Sequence, residues 1–237
     1  MSRRKRNWFA AIIGFIGEIL MTLGVLLLLF VVWELWWTNF DAEKAQKVAT
    51  QELFTETKEQ ELTGELKLGE GEVFGVMYAP RLGENYAVPI SEGTTDEVLN
   101  TVGLGRYTES QWPGEVGNFA IAGHRQTHGA VLWNMDKFQD GDKVYVQTLQ
   151  KYYTYEVEVI KVVQPNQSEV IAANPFDPNQ QPDESWLTLT TCHPPYTTLE
   201  RMITHAKLVD ERPASDGPPA EIKEVVEKTV NAAQSGL

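Results

Sequence analysis

Cys192 is the only cysteine in 237 residues. It closes a short apolar and β-branched run, Trp186-Leu187-Thr188-Leu189-Thr190-Thr191. Such a run reads as a buried strand. Pro194 and Pro195 then stop it, because proline lacks the N–H that a central ladder requires. A second β-rich run over 201–209 follows at once, so Cys192 and Arg201 are expected on adjoining strands. A thiolate that attacks an acyl carbon needs a base or cation partner, an acid for the leaving amine, and donors for the developing oxyanion. Cysteine, histidine and arginine supply all three. Of the four histidines, His124 ranks first. It follows Ile121-Ala122-Gly123 at an expected strand end, in a polar, glycine-bounded loop, and His128 lies further along that loop. His193 adjoins Cys192, but neighbours on an extended chain point to opposite faces. His205 lies roughly 13 Å from Arg201 along the same strand. A lone cysteine is more often inert packing than a nucleophile. Packing fits poorly for a thiol that ends a strand beside a proline-stopped loop.

The elements that must hold these residues are short. Strands are expected over 73–78, 86–90, 118–122, 143–149 and 151–163, ahead of the Cys192 and Arg201 strands. The longest of them could divide in two. Thr94 and Thr95 followed by Asp96 and Glu97 cap a short helix that runs to about Val102 and ends at Gly103 and Gly105. A helical turn is expected over 132–138. Residues 164–185 form a Pro/Asn/Gln-rich loop, long enough to be functional. About seven recognisable strands with turn signals at this spacing favour a closed β-barrel over a βαβ sheet.

The N-terminus has a different character. Arg3, Arg4, Lys5 and Arg6 precede a run from Trp8 to Trp33 whose only ionisable residue is Glu18. That run exceeds the ~20 residues that a helix needs to cross a bilayer. It is also too long for a signal-peptide apolar region, and no A-x-A-like cleavage site follows. Trp33, Trp36 and Trp37 form an aromatic belt at its far end, and the basic flank places the N-terminus in the cytoplasm. The expected organisation is a basic tail (1–7), a signal-anchor helix (8–37), an extracytoplasmic stalk (38–71), a catalytic barrel (72–210) and a flexible polar tail with a possible helix (211–237). The formal charge is −13, and almost all the acid lies beyond the anchor. This argues against a nucleic-acid partner.

Thr188-Leu189-Thr190-Thr191-Cys192, with Arg201 beyond it, resembles the TLxTC…R signature of sortases, the membrane-anchored cysteine transpeptidases of Gram-positive bacteria. Residues 117–125, Gly-Asn-Phe-Ala-Ile-Ala-Gly-His-Arg, resemble the segment that carries their histidine. The likeness covers roughly 72–210 and is greatest to class E, the actinobacterial housekeeping type. It implies a mostly β fold, an eight-stranded sortase barrel with short helices. It makes Cys192 the nucleophile, His124 the acid and base, and Arg201 the oxyanion and substrate donor. Ala122, Thr190 and Thr191 become the groove residues. It also implies a C-terminal LAxTG- or LPxTG-type sorting signal as substrate and an amine on peptidoglycan precursor as acceptor; family members differ on calcium, and from this chain's own residues no cofactor or metal is expected. No arrangement of carboxylates compels a calcium site. Other readings remain open: a pilin-polymerising sortase, a hydrolysing cysteine peptidase, and a non-catalytic anchored binding module. No DPW/F-type lid motif precedes Val73, which weighs against the first.

Overall fold

The computed structural model describes residues 8–56 and 68–235. Eight strands close into one barrel in the order β1-β2-β3-β4-β7-β8-β6-β5. They are β1 (Val73–Tyr78), β2 (Ala87–Glu92), β3 (Leu104–Arg106), β4 (Gly117–Gly123), β5 (Lys143–Thr148), β6 (Lys151–Val163), β7 (Ser185–His193) and β8 (Glu200–Pro213). Two of the pairings, β2 with β3 and β4 with β7, are parallel, and the others are antiparallel. Parallel neighbours need a crossover rather than a tight turn. Between β2 and β3 the crossover contains a short helix, α2 (Asp96–Thr101). Between β4 and β7 it contains the whole β5–β6 hairpin and the loop after it.

Side-chain alternation sets which residues fill the barrel. Phe119 and Ile121 of β4, Leu187 and Leu189 of β7, and Met202 and Ala206 of β8 join the central cluster with Met77, Leu104 and Val146. With a period of two, the opposite faces of the same strands look outward. Those outer rows are Asn118, Ala120 and Ala122; Thr188, Thr190 and Cys192; and Arg201, Ile203 and His205.

The closed barrel agrees with the sequence expectation, but β3 is a strand that the expectation lacked. It has only three residues with a glycine in the middle, so it shows no alternation to read. A Cβ on Gly105 would stand 2.1 Å from the carbonyl oxygen of Gly93, which is why that backbone can approach so closely. Arg106 fixes the strand from the side. It forms a forked pair with Glu92 (2.7 and 2.8 Å) and stacks 4.0 Å over the Trp112 ring. The long strand β6 does not divide.

The N-terminal helix α1 runs unbroken from Trp8 to Glu56. Its first part carries exposed apolar side chains such as Phe15, Leu20 and Leu27. Its last turns lie on the barrel, where Ala42, Ala49 and Leu53 are buried. The stretch expected as a stalk thus begins as helix packed on the barrel. Residues 57–67 and the basic tail 1–7 lie outside the described residues. Of residues 211–237, expected as a flexible polar tail with a possible helix, 211–213 finish β8 and the helix is present as α3 (Lys223–Ser235), packed rather than free. Ile222, in the turn just ahead of it, and Val226 and Ala233 within it form a buried stripe at helical spacing. Ile222 and Val226 meet Leu53 of α1 with Val76 and Tyr78 of β1. The polar composition of the tail masked that narrow apolar stripe.

Candidate active site

β4, β7 and β8 are consecutive in the barrel. Their register puts Ala122 beside Thr190 and Cys192 opposite Arg201. His124 leads off the end of β4, so the three residues singled out by chemistry gather at one end of three adjacent strands. Cys192 is a free, half-buried thiol. Arg201 donates from Nη1 to the carbonyl oxygens of Thr198 and Glu200, both at 3.0 Å. These bonds hold the guanidinium against its own loop.

His124 is held from the side by α2. Its Nε2 lies 2.8 Å from Oδ1 of Asn100, and its ring is 5.3 Å from that of His128. With the Asn100 oxygen accepting, Nε2 carries the proton and Nδ1 is the nitrogen left for chemistry. Burial first, and then the neighbouring His128, push the imidazole below its ordinary value, while Asp96 pulls the other way. The net effect favours a neutral ring.

His193 occupies the face opposite Cys192, as strand alternation requires. Its Nδ1 lies 3.0 Å from Nη1 of Arg125. An arginine cannot accept, so Nδ1 is the acceptor. Arg125 is 3% exposed and also donates to Asp136 Oδ1 at 2.9 Å and to Met202 Sδ at 3.4 Å. The residue after His124 is thereby tied to the residue after Cys192. His205 lies away from the reacting group and is fully buried. Its Nδ1 is 2.8 Å from Thr188 Oγ1, which donates to Asn118 Oδ1 at 2.6 Å. Asn118 Nδ2 in turn donates to the carbonyls of Val170 (3.2 Å) and Ala172 (3.0 Å). This polar chain fastens the long β6–β7 loop onto the barrel wall. Phe176 of that loop packs edge-on against Trp186 and His205.

Of the expected groove residues, Ala122 and Thr190 share the outer face with Cys192. Thr190 Oγ1 stands 3.1 Å from the Tyr107 hydroxyl. Thr191 does not belong with them. It alternates with Leu187 and Leu189 into the barrel, is 3% exposed, and donates its hydroxyl to the Gly123 carbonyl at 2.8 Å. It is a tie between β4 and β7, not a groove residue. A cleft of about 480 Å³ runs between Tyr107 and Ser110 on one side and Ser168, Ile171 and Ala172 on the other. Among the described residues, no three His, Cys, Asp or Glu side chains assemble as a metal site. The sequence reading missed Asn100 and the Arg125–His193 bond. Arg125 was visible beside His124, but nothing in the sequence points Asn100 at the ring.

Comparison with known proteins bears on the same region. The Sortase domain family model matches residues 77–209. Sortase SrtE1 of Streptomyces coelicolor is 36% identical over 212 residues, covering 86% of this chain. The chain spans only 59% of that relative's length. Sortase SrtE2 of the same organism is 30% identical over 234 residues, covering 93% of this chain and 92% of the relative. The crystal structure of Sortase E1 from Streptomyces coelicolor, solved with a tripeptide in the active site, superposes with a TM-score of 0.60 at 34% identity. It covers 64% of this chain and 97% of that one. A barrel of sortase topology, a single thiol at the end of its β7, and these relatives place the chain in the sortase family of cysteine transpeptidases, on the class E side.

Proposed function

We propose that this protein is a membrane-anchored class E sortase that cleaves a C-terminal LAxTG- or LPxTG-type sorting signal between Thr and Gly and joins the protein to a peptidoglycan amine. The observation that carries this reading is the pairing of Cys192 with Arg201 across β7 and β8, with His124 at the end of the strand alongside.

Cys192 Sγ attacks the threonine carbonyl, and its proton passes to His124 Nδ1. Arg201 faces the carbonyl oxygen as negative charge develops there, a task suited to a fixed cation. When the tetrahedral intermediate collapses, the carbon–nitrogen bond breaks and His124 returns the proton to the departing glycine amine. The incoming amine reverses these steps on the thioester and regenerates the thiol. A neutral imidazole at rest suits a ring that must first accept a proton and then give it back. Ala122 and Thr190 line the outer face on which the sorting signal lies, beneath the β6–β7 loop. The relative solved with a tripeptide in its active site supports a peptide ligand at this place.

The exposed apolar part of α1 is long enough to cross a membrane. The basic residues ahead of it put the N-terminus in the cytoplasm and the barrel outside. The testing experiment combines the protein with an LAxTG peptide and triglycine, with Cys192→Ala beside it. Mass spectrometry is expected to find a thioacyl-enzyme and a threonine-linked triglycine product, both lost in the variant. Free acid as the only product, with every acceptor offered, would make the protein a hydrolase.

A further inference from the structure

Three large side chains stand exposed around the active-site mouth without covering the core. Tyr196 and Leu199 lie on the loop that joins Cys192 to Arg201, and each is 69% exposed. Trp133 lies on the loop after His124 and is 40% exposed. Its ring meets Tyr196 edge-on at 5.8 Å. Tyr196 also takes φ 64, a left-handed backbone that disfavours any residue with a Cβ. Apart from its contact with Trp133, the Tyr196 ring faces solvent.

The position of these loops relative to α1 is set by direct contacts. The backbone N–H of Gly129, in the His124 loop, donates to Asn39 Oδ1 of α1 at 2.8 Å. Trp33, Trp37 and Ala42 line a pocket with Asn100 and His128. At 1.5 Å per residue, Asn39 lies about 9 Å along the helix from Trp33. Trp33, Trp37 and the histidine loop are therefore at nearly one level. From there α1 climbs along the barrel to Leu53, which meets Tyr145 and Tyr152 on the β5–β6 side. The active-site end is the end nearest the apolar run, and the β5–β6 turn is the far end.

We propose that the rim formed by Trp133, Tyr196 and Leu199 docks into the headgroup layer of the bilayer that α1 crosses, so that the active site opens at the membrane surface. This rests on the reading of α1 as a membrane span. Tyr and Trp, apolar with one polar tip, suit that layer. The continuous helix supplies the orientation without any help from charge. The net charge of −13 works against attraction to anionic lipid, so apolar insertion holds the rim in place.

The test uses the full chain with Cys192→Ala, so that an added cysteine is the only thiol. Leu199→Cys or, at the exposed β5–β6 turn, Gln150→Cys carries an environment-sensitive fluorophore. Each protein is placed in nanodiscs of phosphatidylcholine with and without a headgroup-level nitroxide lipid. The probe at 199 is expected to be blue-shifted and quenched severalfold more than the probe at 150. Adding Tyr196→Ser and Trp133→Ser should reduce that quenching, with thermal unfolding unchanged. Equal, weak quenching at both positions in protein that stays with the discs would overturn the docked rim and leave the span intact. Protein that separates from the discs would overturn both.

Discussion

At the scale of single residues, the site depends on contacts that constrain His124. Asn100 Oδ1 accepts from Nε2, and that bond strengthens when the ring is protonated. Asn100→Ala is expected to lower kcat for the LAxTG peptide about tenfold, equivalent to ~1.4 kcal/mol, with KM nearly unchanged. The acid limb of the kcat/KM profile should move to lower pH, because the imidazolium loses its acceptor. An unchanged limb with an unchanged kcat would show that the bond does not position the ring. Cys192, Arg201 and His124 were legible because strand ends, prolines and glycines announced where they stand. Asn100 was not, since its role comes from α2 packing beside β4 and from no local pattern. Thr191 was assigned to the groove although the alternation set by Leu187 and Leu189 turns it inward.

At the scale of elements, α1 touches the loop that follows His124 through Asn39, beyond the apolar run that reads as an anchor. His128, Gly129 and Ala130 all have positive φ (49, 88 and 46), so three successive residues hold a left-handed backbone. Asn39 secures the middle one. Asn39→Ala in the full chain is expected to lower kcat/KM roughly fivefold, the worth of one ordinary hydrogen bond. Asn39→Asp, which keeps the acceptor, should restore it. Equal activity in all three proteins would show that α1 does not position the histidine loop. Most strands were legible because they alternate over five or more residues. β3 was hidden by its length and its glycine. The packed ends of the chain were hidden by their polar surroundings, since Leu53 and the Ile222–Val226–Ala233 stripe are too sparse to stand out.

At the scale of the molecule, the buried His205 couples stability to pH. Burial, reinforced by the charge of Lys161, pushes its imidazole down to about 3 from 6.5. Between those values the unfolded chain takes up a proton that the native state refuses. Stability therefore falls as the pH drops from about 6.5 toward about 3, by up to ~1.4 kcal/mol per unit. Above that window His205 contributes no slope. Urea midpoints measured across it should fall less steeply for His205→Gln than for the parent, and identical slopes would remove His205 as the cause. The barrel's closure is equally uneven. β6 and β8 share a ladder of twelve register pairs, whereas β3 meets each neighbour through three. The cylinder resembles a cuff with one long hem and one short clasp, and the clasp adjoins the strand that presents His124. The imidazole thus stands next to the clasp, while the thiol and guanidinium ride on the hem side. The Arg106–Glu92 fork, out of the solvent and under an indole, is the rivet that holds the clasp against its neighbour.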